Sequence, residues 1–232
     1  MLKLIKLELQ RINLRPYLIS STISGVVLLA FTYFIAYVAQ VEQEVQFMTY
    51  GNIFLFTGAM SILIFGVLSA TMYEKLIIEE YSGKRLALLF SYPVGRRKTF
   101  SAKILIVFLF VALSMLLCTI LPIFVFAATE SFTPIVSDTM TSSILIKAVG
   151  TMLVSLVAVS AIGLLAMRIG FIKKSVPATL ISALILSGIY GNIAIGSAGN
   201  LVISLLIIGV SMLAILAVIV TLSHKINNME VE

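Results

Sequence analysis

Six long apolar runs, separated by short polar stretches, organise the chain. Each run has roughly 18 residues or more, the length that an α-helix needs to cross a hydrocarbon core of about 30 Å. The pattern therefore predicts an all-α membrane protein, one domain over residues 1–232, with six transmembrane helices. The predicted spans are 17–39, 51–72, 104–128, 144–167, 177–195 and 201–222.

A helical periodicity precedes the first span, over residues 1–16. The apolar positions with spacings of three and four are Leu2, Ile5, Leu9 and Ile12. Basic residues lie between them, which predicts an amphipathic interfacial helix whose cations face anionic headgroups. Such a helix either only anchors the topology or contacts a cytoplasmic partner.

The composition supports a membrane protein and orients it. The chain is 60% hydrophobic and 11% charged, with a mean hydropathy of +1.15, outside the soluble range. All but one of its 16 lysines and arginines lie in the connections on one side of the predicted spans. By the positive-inside rule this side is cytoplasmic, so we expect both termini inside a bacterial cytoplasmic membrane. The net charge of +6 then reflects orientation, and no nucleic-acid partner is expected.

The residues needed for most membrane chemistry are missing from the sequence. It has a single histidine, His224, and no acidic residue within the predicted spans. A metalloprotease or an ion-driven transporter is therefore not expected. A P-loop is also missing, because Gly83-Lys84 is followed by Arg85 and lacks the earlier glycine. We expect no enzyme and no bound cofactor; if the chain takes part in transport, ATP and Mg are bound by a partner subunit.

One connection, residues 77–100, carries an unusual pattern, IIEEYSGKRLALLFSYPVGRRKTF. Its first part has helical spacing of apolar residues, and the residue before Pro93 is restricted to extended backbone. The pattern predicts a short charged helix that ends near Ser91, followed by a sharp turn into the third span. A simpler interpretation is that the charges only solvate a cytoplasmic loop.

This segment resembles the cytoplasmic segment between spans two and three of type-2 ABC exporter permeases. The resemblance rests on the carboxylate pair, Ser82-Gly83, Leu88-Leu89, Pro93-Val94 and the bases that follow, together with the six-span topology. It implies a coupling helix that docks on an ABC ATPase subunit. The implied ATPase contacts are Glu79, Glu80, Tyr81, Gly83, Lys84 and Arg85, and the implied coupling turn is Pro93, Arg96 and Arg97.

The resemblance also implies a second permease copy, in a homodimer or a heterodimer, and an exporter. The cargo would be an amphipathic peptide, such as a phenol-soluble modulin, an antimicrobial peptide handled in bacteriocin immunity, or a lipid-like or hydrophobic toxic molecule. Two departures stand out: Lys84 replaces a frequent hydroxyl residue, and only residues 196–200 separate spans five and six, where many relatives have a re-entrant hairpin. The alternative is a non-transporting sensor or assembly subunit that docks a cytoplasmic partner.

Small residues recur every four positions in the fifth span, at Ala183, Ser187 and Gly191. This spacing places them on one helix face, where they permit close approach of another helix. The face is predicted to pack either within the chain or against a second subunit.

Overall fold

The computed structural model describes residues 2–42, 49–80, 96–130, 132, 136, 141–197 and 200–227. Within these ranges the chain is built from seven α-helices, of which the third ends in a π turn. They are α1 (Leu2–Arg11), α2 (Arg15–Glu42), α3 (Tyr50–Tyr73, with the π turn Glu74–Ile78), α4 (Arg96–Glu130), α5 (Ser142–Lys173), α6 (Val176–Gly196) and α7 (Leu201–Asn227).

Six of these helices, α2 to α7, are long and apolar enough to cross a membrane. This confirms the all-α class and the six predicted spans. The helices are longer than the apolar runs that predicted them: α4 begins eight residues before the predicted span, and α3 continues through the π turn. Ile77 and Phe100, placed by the sequence pattern in the connection, are both fully buried at helix ends. The described helices therefore reach into both ends of the predicted segment 77–100.

Helix α3 forms the centre of the bundle. It packs most extensively against α5 and α6 and also contacts α2 and α4. Its apolar window is 61% buried, whereas that of α7 is only 17% buried. Helix α7 therefore presents most of its apolar surface outward, where lipid covers it in a membrane.

Glycines allow α3, α5 and α6 to approach closely. A methyl group added at Gly66 would overlap the Ser187 hydroxyl of α6, and one at Gly163 would overlap the Ser69 hydroxyl of α3. At Gly170 a methyl group would overlap the hydroxyl of Thr179. Small residues at contact positions are the usual means of tight helix packing in lipid, where the solvent is as apolar as the side chains.

The two ends of the bundle differ in composition. We call the end that carries α1, the α3–α4 connection and the carboxyl-terminal turns of α5 and α7 the basic end. At the opposite end Phe126 lies among the rings of Tyr33, Tyr50 and Phe54, with ring centroids 5.4–6.4 Å away. A separate small core surrounds these rings.

Helix α6 is continuous through Gly188 and Gly191 as far as Gly196. The sequence pattern left open whether these glycines interrupt the helix and form an outward hairpin. Within the described residues they do not, and α7 begins at Leu201.

Candidate functional site

The predicted ATPase-contact segment begins at the end of α3. Glu79 and Glu80 are described, directly after the π turn, and the described chain resumes at Arg96, the first residue of α4. The other predicted contacts lie outside the described residues: Tyr81, Gly83, Lys84, Arg85 and Pro93. The structure therefore locates the two ends of the segment.

The carboxylate of Glu80 forms a close ion pair with Lys103, which lies in the second turn of α4. Lys103 is only 1% exposed, and its ammonium group also donates a hydrogen bond to the carbonyl of Leu76, at 3.2 Å. A buried ammonium group is stable only when it is paired and hydrogen-bonded. The contact therefore holds the end of α3 against the start of α4.

Helix α1, which the sequence predicts to be interfacial, contributes to the same site. Glu8 Oε2 lies 3.7 Å from the ammonium nitrogen of Lys103, and an Arg11 guanidinium nitrogen lies 3.8 Å from Glu80 Oε1. Glu8 is 8% exposed. We call these four residues, Glu8, Arg11, Glu80 and Lys103, the ion cluster. It contains two carboxylates and two cations, and it joins α1, α3 and α4 beside the predicted docking segment.

The two adjacent glutamates have different environments. Glu80 is held in the ion cluster, whereas the Glu79 carboxylate lies 3.2 Å from the ammonium group of Lys75, one helical turn earlier. The side chains of Lys75 and Glu79 are 59% and 29% exposed, so their pair is a surface contact. Glu79 is therefore the more accessible of the two carboxylates, since the Glu80 side chain is only 16% exposed.

The π turn Glu74–Ile78 sets the direction in which the chain leaves α3. The Glu79 amide donates to the carbonyl of Glu74 at 3.0 Å, a hydrogen bond that spans five residues instead of four. Leu76, Ile77 and Ile78 of the turn are buried. Single π turns occur frequently at functional sites, because they shift side chains without ending a helix.

The remaining predicted residues have clear positions. Arg96 and Arg97 form the start of α4, and the Arg97 side chain is exposed. Ala183, Ser187 and Gly191 are buried, and Ser187 lies against Gly66 of α3 in the same chain. Within the described residues no three His, Cys, Asp or Glu side chains lie close enough together to hold a metal ion.

Sequence reasoning missed Glu8 and the role of Lys103. The sequence pattern includes Lys103 among the bases that follow Pro93-Val94 in the resemblance but assigns it no pairing, and it assigns no role to Glu8. One signal was present, because Glu8 is the only acidic residue in the otherwise basic segment 1–16. Its partner is 95 residues away in sequence, and no local pattern indicates such a pairing.

The chain was compared with known proteins. No solved structure matches it. An uncharacterized protein of Bacillus subtilis (strain 168), YcbO, is 28% identical over 185 residues, which cover 80% of this chain and 81% of that relative. The sequence profile of the family described as "ABC-2 family transporter protein" matches residues 4–187, from α1 through the second half of α6. A match over most of the chain, together with six apolar helices, shows that the protein is a multi-pass membrane protein and that it belongs to the ABC-2 transporter family.

Proposed function

We propose that this chain is the permease subunit of an ATP-driven exporter, and that a separate ABC ATPase subunit acts on it through the segment between α3 and α4. Family membership supports a membrane subunit that lacks its own ATP site. The proposal extends this to the docking residues, the direction of transport and the cargo.

The ion cluster is the observation that carries the proposal. It ties both ends of the docking segment and the interfacial helix together through a buried lysine. A displacement of the segment would therefore move α1, α3 and α4 as a unit, whereas a loosely attached loop would absorb the displacement. Because α3 is the central helix of the bundle, its movement would be passed on to α5 and α6.

The cargo is proposed to be amphipathic: a peptide, a lipid-like molecule or a hydrophobic toxic compound. Most side chains of the described spans are aliphatic, aromatic or hydroxyl-bearing. A pathway built from them suits such a molecule better than a compact ion. A working exporter is proposed to contain two permease subunits, with both termini and the docking segment on the cytoplasmic side of the bacterial plasma membrane.

The docking role is tested by reversing the exposed carboxylate. Glu79→Lys is expected to reduce co-purification of the ATPase subunit several-fold, because a lysine would face a surface that is complementary to an acid. Glu42→Lys, at the opposite end of the bundle, is the matched control and is expected to leave co-purification unchanged. Membrane insertion of both variants is measured in parallel, and unchanged association of Glu79→Lys would remove the docking role.

Reversal of Glu80 is a second, less selective test. Glu80→Lys is expected to lower ATPase association without loss of membrane insertion. It also places a third cation beside Lys103 and Arg11, so its effect includes disruption of the ion cluster. Glu79→Lys leaves the four residues of the ion cluster unchanged and alters the surface pair with Lys75 instead.

Transport is tested by ATP hydrolysis. The complex in vesicles is expected to hydrolyse ATP faster when an amphipathic peptide or lipid-like cargo is added. A complex that binds its ATPase but shows no such stimulation would instead be a sensor or assembly unit that docks a cytoplasmic partner.

A further inference from the structure

A lateral cleft of about 450 Å³ lies between α4, α5 and α7, in the half of the bundle nearest the basic end. Its walls are apolar, and they include Ile104, Leu156, Leu164 and Ile215. None of the four residues of the ion cluster lines it. The cleft is therefore separate from the site described above.

The cleft opens towards lipid. Three residues at its rim, Leu105, Phe108 and Met212, are 41%, 38% and 49% exposed and belong to membrane-spanning helices. Along α4 the lining extends from Ser101 to Phe108, roughly 10 Å at 1.5 Å per residue. One leaflet of the hydrocarbon core is about 15 Å thick, so this length suits a large part of a single acyl chain.

A buried hydroxyl group lies on the inner wall. Tyr73 lines the cleft and is 1% exposed. Its ring packs against α5 at Gly163, where an added methyl group would lie 3.0 Å from Cε2. A tyrosine hydroxyl on the wall of an apolar cleft can donate a hydrogen bond to a ligand that brings an acceptor oxygen.

Basic side chains lie at the mouth of the cleft. Lys98 precedes Ser101 by three residues, and Arg168 follows Leu164 by four, spacings that place each base on the cleft side of its helix, one turn nearer the basic end. Lys98 is exposed and Arg168 is half-buried. Within the described residues neither forms an ion pair. Among the residues that the structure describes, the mouth therefore carries two basic side chains that are not paired with a carboxylate.

We propose that this cleft binds an anionic phospholipid from the leaflet at the basic end. One acyl chain occupies the cleft, an ester carbonyl accepts a hydrogen bond from Tyr73, and the phosphate lies near Lys98 and Arg168. From the interior to the mouth, the apolar walls suit the acyl chain, the Tyr73 hydroxyl suits the ester carbonyl, and the basic side chains suit the phosphate. This inference does not depend on the proposed docking role of Glu79 or on the nature of the cargo.

Photolabelling tests the site directly. The full chain, with any subunits that co-purify, is placed in phosphatidylcholine vesicles that contain a small fraction of phosphatidylglycerol with a photoactivatable group on one acyl chain. Labelled peptides are expected to concentrate on residues 101–108, 156–164 and 212–219. Ser160→Phe, which fills the cleft, is expected to reduce this labelling at least several-fold, and Ser20→Phe, on the lipid-facing side of α2, is the matched control that leaves it unchanged.

A second experiment tests the two basic side chains at the mouth without changing the packing of the cleft walls. Lys98→Gln and Arg168→Gln are each expected to lower phosphatidylglycerol labelling roughly fivefold, the factor for one basic residue near an anionic surface. Labelling by a phosphatidylcholine with the same photoactivatable group is expected to remain unchanged.

Three results would overturn the proposal. One is labelling spread evenly over the exposed faces of α2 and α4. Another is equal labelling by the two lipids in all variants. The third is displacement of the label by a cationic amphipathic peptide more effectively than by unlabelled phosphatidylglycerol, which would make the cleft a peptide site.

Discussion

The two ends of the bundle stabilise buried polar groups in different ways. At the basic end Lys103 is held by carboxylates from two other helices. At the opposite end the buried carboxylate of Glu130 accepts hydrogen bonds from the Tyr50 hydroxyl and the Val136 amide, both at 3.3 Å, beside a cluster of aromatic rings. The basic end is therefore held by charge pairing between residues far apart in sequence, whereas the opposite end is held mainly by packing of aromatic and aliphatic side chains.

The largest effect is expected at Lys103. Lys103→Met removes the cation beside the buried Glu8 carboxylate and leaves Glu80 paired with the exposed Arg11, so it is expected to lower the free energy of unfolding by about 3–5 kcal/mol, measured by denaturation of the purified protein in detergent. The triple variant Glu8→Gln, Lys103→Met, Glu80→Gln removes the lysine together with both of its carboxylate partners and is expected to recover most of the loss. If the triple variant were as unstable as Lys103→Met, charge pairing would not be what stabilises this end.

At the opposite end, Phe126→Ala is expected to lower the free energy of unfolding by about 3 kcal/mol, because it creates a cavity among three aromatic rings. Its effect should not be relieved by neutralising any nearby charge. Val149→Ala, on the exposed face of α5, is the control and is expected to have a much smaller effect. Comparable losses for the two variants would argue against an aromatic core at this end.

A smaller loss is expected from Tyr50→Phe. The change removes one hydrogen bond to the Glu130 carboxylate and is expected to lower the free energy of unfolding by about 1–2 kcal/mol. Tyr33→Phe, which removes a hydrogen bond of 2.6 Å to the hydroxyl of Thr129, is the neutral counterpart and is expected to have about half that effect. Denaturation of both variants under the same conditions measures the difference, and a larger loss from Tyr33→Phe would contradict it.

The smallest effect is expected at the surface pair of the basic end. Lys75→Gln removes the ion pair with Glu79 and is expected to change the free energy of unfolding by only about 0.3–0.5 kcal/mol. Salt should screen this effect, whereas the loss from Lys103→Met should persist in high salt. A loss from Lys75→Gln as large as that from Lys103→Met would contradict the expectation that the ion pair of Glu79 is weaker than that of Glu80.

The sequence predicted the parts of the fold that depend on local pattern. Run length alone identified all six spanning helices, because a helix that crosses lipid must satisfy its backbone internally over a fixed distance. The ends of the helices were less accurate, since polar residues beyond the apolar runs are still helical: Glu74 begins the π turn of α3, and Lys103 lies in α4. Hydropathy marks where lipid begins, and a helix does not have to end there.

The candidate site was only partly predictable. Glu79 and Glu80 were identified from their position before a glycine, but their different exposure depends on Lys103 and Glu8, which lie far away in sequence. The position of Ser187 against Gly66 likewise depends on which helix is the neighbour, and the four-residue spacing does not specify that neighbour. Whether Tyr81, Gly83, Lys84, Arg85 and Pro93 contact an ATPase remains a prediction from resemblance.

The π turn at the end of α3 has a consequence for variation in chain length. A hydrogen bond that spans five residues accommodates one surplus residue, while the helix before and after it keeps its rotational phase. A single-residue deletion at the exposed Lys75 would therefore convert the turn to ordinary α-helix and leave Glu80 within reach of Lys103. Relatives that differ by one residue in this helix are expected to have their alignment gap at this position.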